Sequence, residues 1–247
     1  MGVEIKIVPD VAALNRVAAA EFKSTAESAI AEHGWFSVAL SGGNTPRSVY
    51  ALLAQEDKAS LDWSRIHIFF GDERHVPPDH PDSNYRMANE TLLSKVPIPQ
   101  ENIHRVRAES DPESAAKDYE EQLRAEFKLK PGDLPRFDLI LLGLGDDGHT
   151  ASLFPETAAL NETARLVVPN WVEKLNTFRI TLTLPVLNHA AEVLFIVSGA
   201  GKAEILKAVL GSPGSAQYPS QRVSPHHGRL LWLVDQDAAR LLPKLAS

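Results

Sequence analysis

The feature that most constrains this chain is an alternation: short, nearly continuous apolar runs recur between longer segments that carry helix start and stop signals. The runs are Val3 to Val8, Trp35 to Leu40, Ile66 to Phe70, Asp138 to Leu144, Arg179 to Leu184, Val193 to Ser198 and Leu230 to Val234. A strand with one wet face alternates apolar and polar residues, whereas a strand covered on both faces is apolar throughout, as parallel strands joined by helical crossovers are. Between the runs, Asp10 is placed to cap the Ala-rich segment that ends at His33 before Gly34. Thr45-Pro46 offers a cap and a first helical residue for a second helix, and Asp111-Pro112 does the same for the stretch to Phe127. The expected fold is therefore α/β, a mostly parallel central sheet with helices on both faces. Pro and Gly clusters at Val76 to Pro81, Lys130 to Pro135 and Gly211 to Pro219 are too short to be interdomain linkers. With no internal repeat, residues 1–247 read as one domain.

Composition removes several classes of function. The net charge of −7 repels nucleic acid and anionic membranes, so an anionic substrate needs a local basic pocket. The absence of cysteine excludes disulfides, thiolate nucleophiles and Cys-containing zinc sites, and fits a reducing compartment. The start Met1-Gly2-Val3-Glu4-Ile5-Lys6 lacks a signal-peptide stretch, and no run approaches the roughly 20 apolar residues that span a bilayer. A cytoplasmic protein is expected, with a monomer favoured as its state.

In open α/β sheets ligands lie beyond the carboxyl ends of the strands, and three such junctions are unusual here. Ser41-Gly42-Gly43-Asn44-Thr45-Pro46 combines glycines, hydroxyls and a helix start, which suits a phosphate; an ordinary tight turn with a good cap is the alternative. Gly71-Asp72-Glu73-Arg74-His75-Val76 could supply an acid, a base and an anion clamp, or be a solvated loop, with Ser83 and Asn84 opening a helix downstream. In the third, Gly143, Gly145 and Gly148 spell the G-x-G-x-x-G of a dinucleotide turn. Asp146 and Asp147 would stand where a pyrophosphate must lie, so that reading is set aside. What is left is a Gly-rich turn presenting Asp147 and His149 at the mouth of a buried strand, and imidazole titrates near neutrality, as a general base should. Arg74, Arg179 and Lys202 are the candidate cations. Neither a metal site nor a serine-nucleophile elbow is read: His226-His227 lacks the i, i+4 spacing, and no G-x-S-x-G is present.

These residues resemble a known family. Ser41-Gly42-Gly43-Asn44-Thr45-Pro46, Gly71-Asp72-Glu73-Arg74, Asn84-Tyr85-Arg86 and above all Gly143 to Pro155 are similar, in order, to the glucosamine-6-phosphate deaminase/6-phosphogluconolactonase family, on its lactonase side. The resemblance implies a Rossmann-like fold of the glucosamine-6-phosphate deaminase and ribose-5-phosphate isomerase type. It also implies cofactor-free hydrolysis of 6-phospho-D-glucono-1,5-lactone to 6-phosphogluconate, the second step of the oxidative pentose phosphate pathway. By similarity His149 takes a proton from water, Asp147 supports the imidazole, and Arg74 lies near the substrate as clamp or oxyanion stabiliser. Ser41, Gly42, Gly43, Asn44, Thr45, Asp72, Arg179 and Lys202 would bind the substrate and its phosphate. The deaminases carry an Asn-Glu pair after Asp-Gly-His, whereas this chain reads Leu153-Phe154-Pro155, which favours the lactonase.

Overall fold

The computed structural model describes residues 3–211 and 216–243. The elements run β1 (Glu4–Val8), α1 (Val11–His33), β2 (Phe36–Leu40), α2 (Asn44–Glu56), β3 (Ile66–Phe70), β4 (Asp72–Arg74), α3 (Asn84–Ala88), α4 (Pro112–Glu126) and β5 (Leu139–Leu142). They continue with β6 (Val167–Val172), β7 (Thr177–Leu182), α5 (Leu184–Leu187), β8 (Glu192–Val197), α6 (Ala203–Gly211), β9 (Arg229–Asp235) and α7 (Gln236–Ala239). Six strands form one wholly parallel sheet in the order β1-β9-β8-β5-β2-β3. Every residue of β2, β5 and β8 is buried, which is why their sequences show no alternation.

Helix ends follow local chemistry. Asp10 accepts a hydrogen bond from the Ala13 amide at 2.7 Å and Gly34 closes α1, while Asp111 accepts from Ser114 at 3.0 Å to open α4. Ser83 caps α3 through the Arg86 amide. The start of α2 departs from expectation. Its cap residue is Gly43, which has no side chain to cap with, and the Thr45 hydroxyl bonds Ser198 instead, at 2.8 Å.

The larger departure is a second sheet, antiparallel, in the order β4-β7-β6. The run beginning at Arg179 lies in its central strand and not in the parallel sheet. The segment after Phe70, which could have been a solvated loop, contributes β4. Gly71 links the two sheets: its amide donates to Leu40 of β2 and its carbonyl accepts from Leu182 of β7, both at 2.9 Å. The small sheet, with α4 packed on β6 and β7, is thereby fixed at the carboxyl ends of β2 and β3. No helix of the described residues is long and apolar enough to cross a membrane. The Gly211 to Pro219 loop falls partly outside the described residues.

Candidate active site

Beyond Leu142, the Gly145 amide donates to the His149 carbonyl (2.9 Å) and the Gly148 amide to the Gly145 carbonyl (3.0 Å), closing a tight turn. Gly148 takes a φ of 78°, which favours glycine. A Cβ on Gly145 would stand 1.9 Å from His149 Nδ1, so the turn folds back against its own histidine. A dinucleotide turn would open a helix here. Instead, residues 150–157 form turns, consistent with setting that reading aside.

His149 Nδ1 lies 2.5 Å from Asp147 Oδ1, and the same oxygen accepts the His149 amide at 3.1 Å. With Nδ1–H donating to the carboxylate, the lone pair of Nε2 is left for a substrate-side proton. Burial pulls the imidazole below the ordinary histidine pKa, against the opposing influence of Asp147. Phe154 accounts for part of that burial: its ring stacks on the imidazole, centroids 4.0 Å apart. Burial would also raise Asp147, but hydrogen bonds from Lys174 and His149 outweigh it and hold this carboxyl at about 2. Lys174 forms an ion pair with Asp147 Oδ2 and stands over the Phe154 ring at 4.8 Å. Nothing in the spacing of Glu173-Lys174-Leu175 singles this lysine out. It joins the site because the connection between β6 and β7 passes over the histidine turn.

Three side chains of the small sheet hold that turn. Ser152 donates its hydroxyl to Asp72 Oδ2 (2.6 Å) and its amide to the Thr181 hydroxyl (3.2 Å), while its carbonyl accepts from Asn170 Nδ2 (2.9 Å). In the strand register Asp72 faces Thr181, and Val168 faces Thr181 from the other side with Asn170 two residues on, so one sheet face carries all three. Asp72 also accepts from Asn84. Its carboxylate is thus committed to buried donors, and next to a phosphate it would be repulsive. Through Ser152 and Asn84 it positions the histidine turn and the start of α3. Glu73 is structural too. Its carboxylate accepts the amides of Arg74, Asn84 and Tyr85 and the Ser83 hydroxyl, anchoring the start of α3; burial, its dominant influence, raises its pKa.

Gly42, Gly43, Asn44 and Thr45 line a cleft of about 420 Å³ with Gly143, Leu144, Ser198 and Lys202. The uncapped first turn of α2 opens on it, and unsatisfied amides at the positive end of a helix attract anions. Lys202 Nζ, 2.5 Å from Asp146 Oδ1, is its cation. Ser41 lies deeper. Tyr50 takes its backbone amide and carbonyl, and its Oγ is buried without a hydrogen-bond partner among the described residues. Arg74 and Arg179 face each other across β4 and β7. Arg74 donates to the Asp82 carbonyl, but no carboxylate forms an ion pair with Arg179 among the described residues. Burial, and next the Arg74 charge, lower the pKa of Arg179. The Arg74 charge opposes that of Arg179, while Asp72, Asp82 and Glu73 offset it from farther off, and an anion between the two guanidiniums would relieve the repulsion. His75 is turned away: its Nε2 contacts the Ser110 carbonyl at 3.0 Å.

The family model described as glucosamine-6-phosphate isomerases/6-phosphogluconolactonase matches residues 9–232. The chain belongs to this family. Among curated relatives within it, the 6-phosphogluconolactonase of Synechocystis is 48% identical, covering 87% of this chain and 88% of that one. The human 6-phosphogluconolactonase is 43% identical over 84% of this chain and 81% of its own. The solved 6-phosphogluconolactonase of Trypanosoma brucei superposes with a TM-score of 0.88 at 29% identity, covering 98% of this chain and 99% of that one. A monomeric glucosamine-6-phosphate deaminase, 19% identical with a TM-score of 0.81 over 97% of this chain and 100% of its own, shares the fold.

Proposed function

We propose that this protein hydrolyses 6-phospho-D-glucono-1,5-lactone to 6-phosphogluconate, with His149 as the general base. The observation that carries the reading is the 2.5 Å contact of His149 Nδ1 with Asp147, which leaves Nε2 as a proton acceptor on a half-buried ring. Water gives a proton to Nε2 as its oxygen attacks the lactone carbonyl carbon. The bond from that carbon to the ring oxygen then breaks, and the imidazolium returns the proton to the departing oxygen. Asp147, held by Lys174, stabilises the imidazolium and fixes its tautomer. The amides at the start of α2, Thr45 and Lys202 hold the 6-phosphate. Arg179 and Arg74 supply the remaining positive charge, on the phosphate and on the developing oxyanion respectively. Phe154 supports the lactonase reading, because where a deaminase has an acidic side chain this chain has an apolar platform beneath its base.

The test is hydrolysis of freshly generated lactone, corrected for spontaneous opening. Acceleration over buffer is expected, with most of kcat lost in His149→Ala and chiefly KM raised in Lys202→Ala. A His149→Ala protein with full turnover would refute the mechanism, and no acceleration by the parent protein would refute the function.

A further inference from the structure

At the opposite end of the parallel sheet from the histidine turn, a second cluster of ligating groups converges. His67 is the second residue of β3, His104 lies just after the bridge that pairs Ile103 with Ile68, and Glu126 is the last residue of α4. Their ligand atoms all lie within 4.8 Å of one another. The three are spread over 60 residues of sequence without regular spacing, so only the fold brings them together.

From this geometry we infer a three-ligand site for a divalent transition-metal ion, zinc in the first instance, formed by His67 Nδ1, His104 Nε2 and a Glu126 carboxylate oxygen. His67 Nδ1 and His104 Nε2 are 3.3 Å apart. Two nitrogens bound at about 2.0–2.1 Å in a tetrahedral shell are separated by about the same distance, roughly 3.3–3.4 Å. Glu126 Oε1 lies 2.9 Å from His67 Nδ1 and Oε2 lies 4.0 Å from His104 Nε2, so the carboxylate stands against both nitrogens. Protons alone serve the cluster poorly. His67 Nδ1 has either one hydrogen or one lone pair, yet both Glu126 and His104 approach it, and 4.0 Å is too long for His104 to bond the carboxylate instead.

The surroundings favour a cation on neutral imidazoles. Burial lowers the pKa of both histidines, which keeps the lone pairs a metal needs. Glu126 closes α4, where the helix dipole is negative. The rings are also fixed before any metal arrives. His104 stacks on Phe69 with centroids 4.3 Å apart, its amide donates to the Ile68 carbonyl at 2.8 Å, and Trp35 stands edge-on to His67 at 5.0 Å. A cleft lined by Trp35, His67, Glu126, Phe127 and Lys128 gives access for the ion and room for a water as fourth ligand. Some four residues of β3, roughly 13 Å, separate His67 from Gly71 and the small sheet. The site is therefore structural, tying the end of α4 and the segment at His104 to β3.

Untagged, chelator-stripped protein should take up one zinc per chain, measured by competition with a chromophoric chelator. His104→Ala and Glu126→Gln should each weaken uptake by at least about tenfold. Cobalt(II) should give the visible bands of a four-coordinate ion in the parent protein and not in His104→Ala. Zinc should raise Tm in the parent and leave Tm of the two variants unmoved, whatever their own stability. Lactone hydrolysis by the stripped protein should persist, so the result is independent of the proposed activity. Absence of uptake by the parent, or equal uptake by His104→Ala and Glu126→Gln, would overturn the site.

Discussion

At the scale of single residues the site is a contest over one proton. His149 must be neutral to accept it, burial favours the neutral form, and Asp147 and Lys174 pull in opposite directions. Because burial lowers the pKa, the active form should persist to lower pH than for a solvated histidine, whose pKa is about 6.5. The acid limb of the kcat profile is accordingly expected below that value. Lys174→Ala removes a nearby cation and should move the limb to higher pH. Asp147→Asn removes an anion and should move it lower, while kcat at the plateau falls by roughly 10²–10⁴-fold through loss of the oriented tautomer. Comparing variants cancels the titration of the substrate's own phosphate. Limbs that shift in the same direction in both variants would show that these charges do not set the pKa of the base.

At the scale of elements, precision at the histidine turn comes from the small sheet, through Ser152. Ser152→Ala deletes a hydroxyl that donates to a buried carboxylate, a change costing about 1.5–3 kcal/mol. That corresponds to a Tm lower by roughly 3–12 °C in a chain of this size. Kinetically kcat should fall and KM change little, since the phosphate cleft is built from other elements; a variant affected in KM alone would contradict this division. Glu73→Gln is the counterpart at α3. The amide has one acceptor oxygen where the carboxylate has two, and its NH₂ would face backbone N–H groups, so a loss of about 1–3 kcal/mol by denaturant titration is expected. These elements also mark where the sequence stops being legible. β2, β5 and β8 were visible because burial on both faces makes a strand apolar throughout, and the capped starts of α1 and α4 because a carboxylate beside the first turn leaves a local signature. β4 is three ionisable residues, and β6 is interrupted by Pro169, tolerated because it is an edge strand. Neither has a periodicity to read. The same limit hid Lys174 and the role of Ser152, whose partners Asp72, Asn170 and Thr181 come from three separate strands.

At the scale of the whole molecule, a chain of net charge −7 must still gather positive potential at one place. Positive charge is presented from both sheets: the amides of α2 and Lys202 beside the parallel one, and Arg74 opposite Arg179 on the small one, which the proposed reading assigns to a single anionic substrate. The repulsion between the facing guanidiniums is only partly offset by Asp72, Asp82 and Glu73, and a bound anion would complete the compensation, so function and stability should separate at Arg179. Arg179→Ala should leave Tm of the free protein unchanged or raised. Inorganic phosphate should stabilise the parent protein by RT ln(1 + [L]/Kd), about 2.7 kcal/mol at a hundredfold excess over Kd. Arg179→Ala and Lys202→Ala should each need a higher phosphate concentration for the same gain, and raised salt should weaken the effect in all three. If Arg179→Ala instead lowered the stability of the free protein while keeping the full phosphate response, the guanidinium would be a packing group of the small sheet. The anion would then be held from the side of α2 alone.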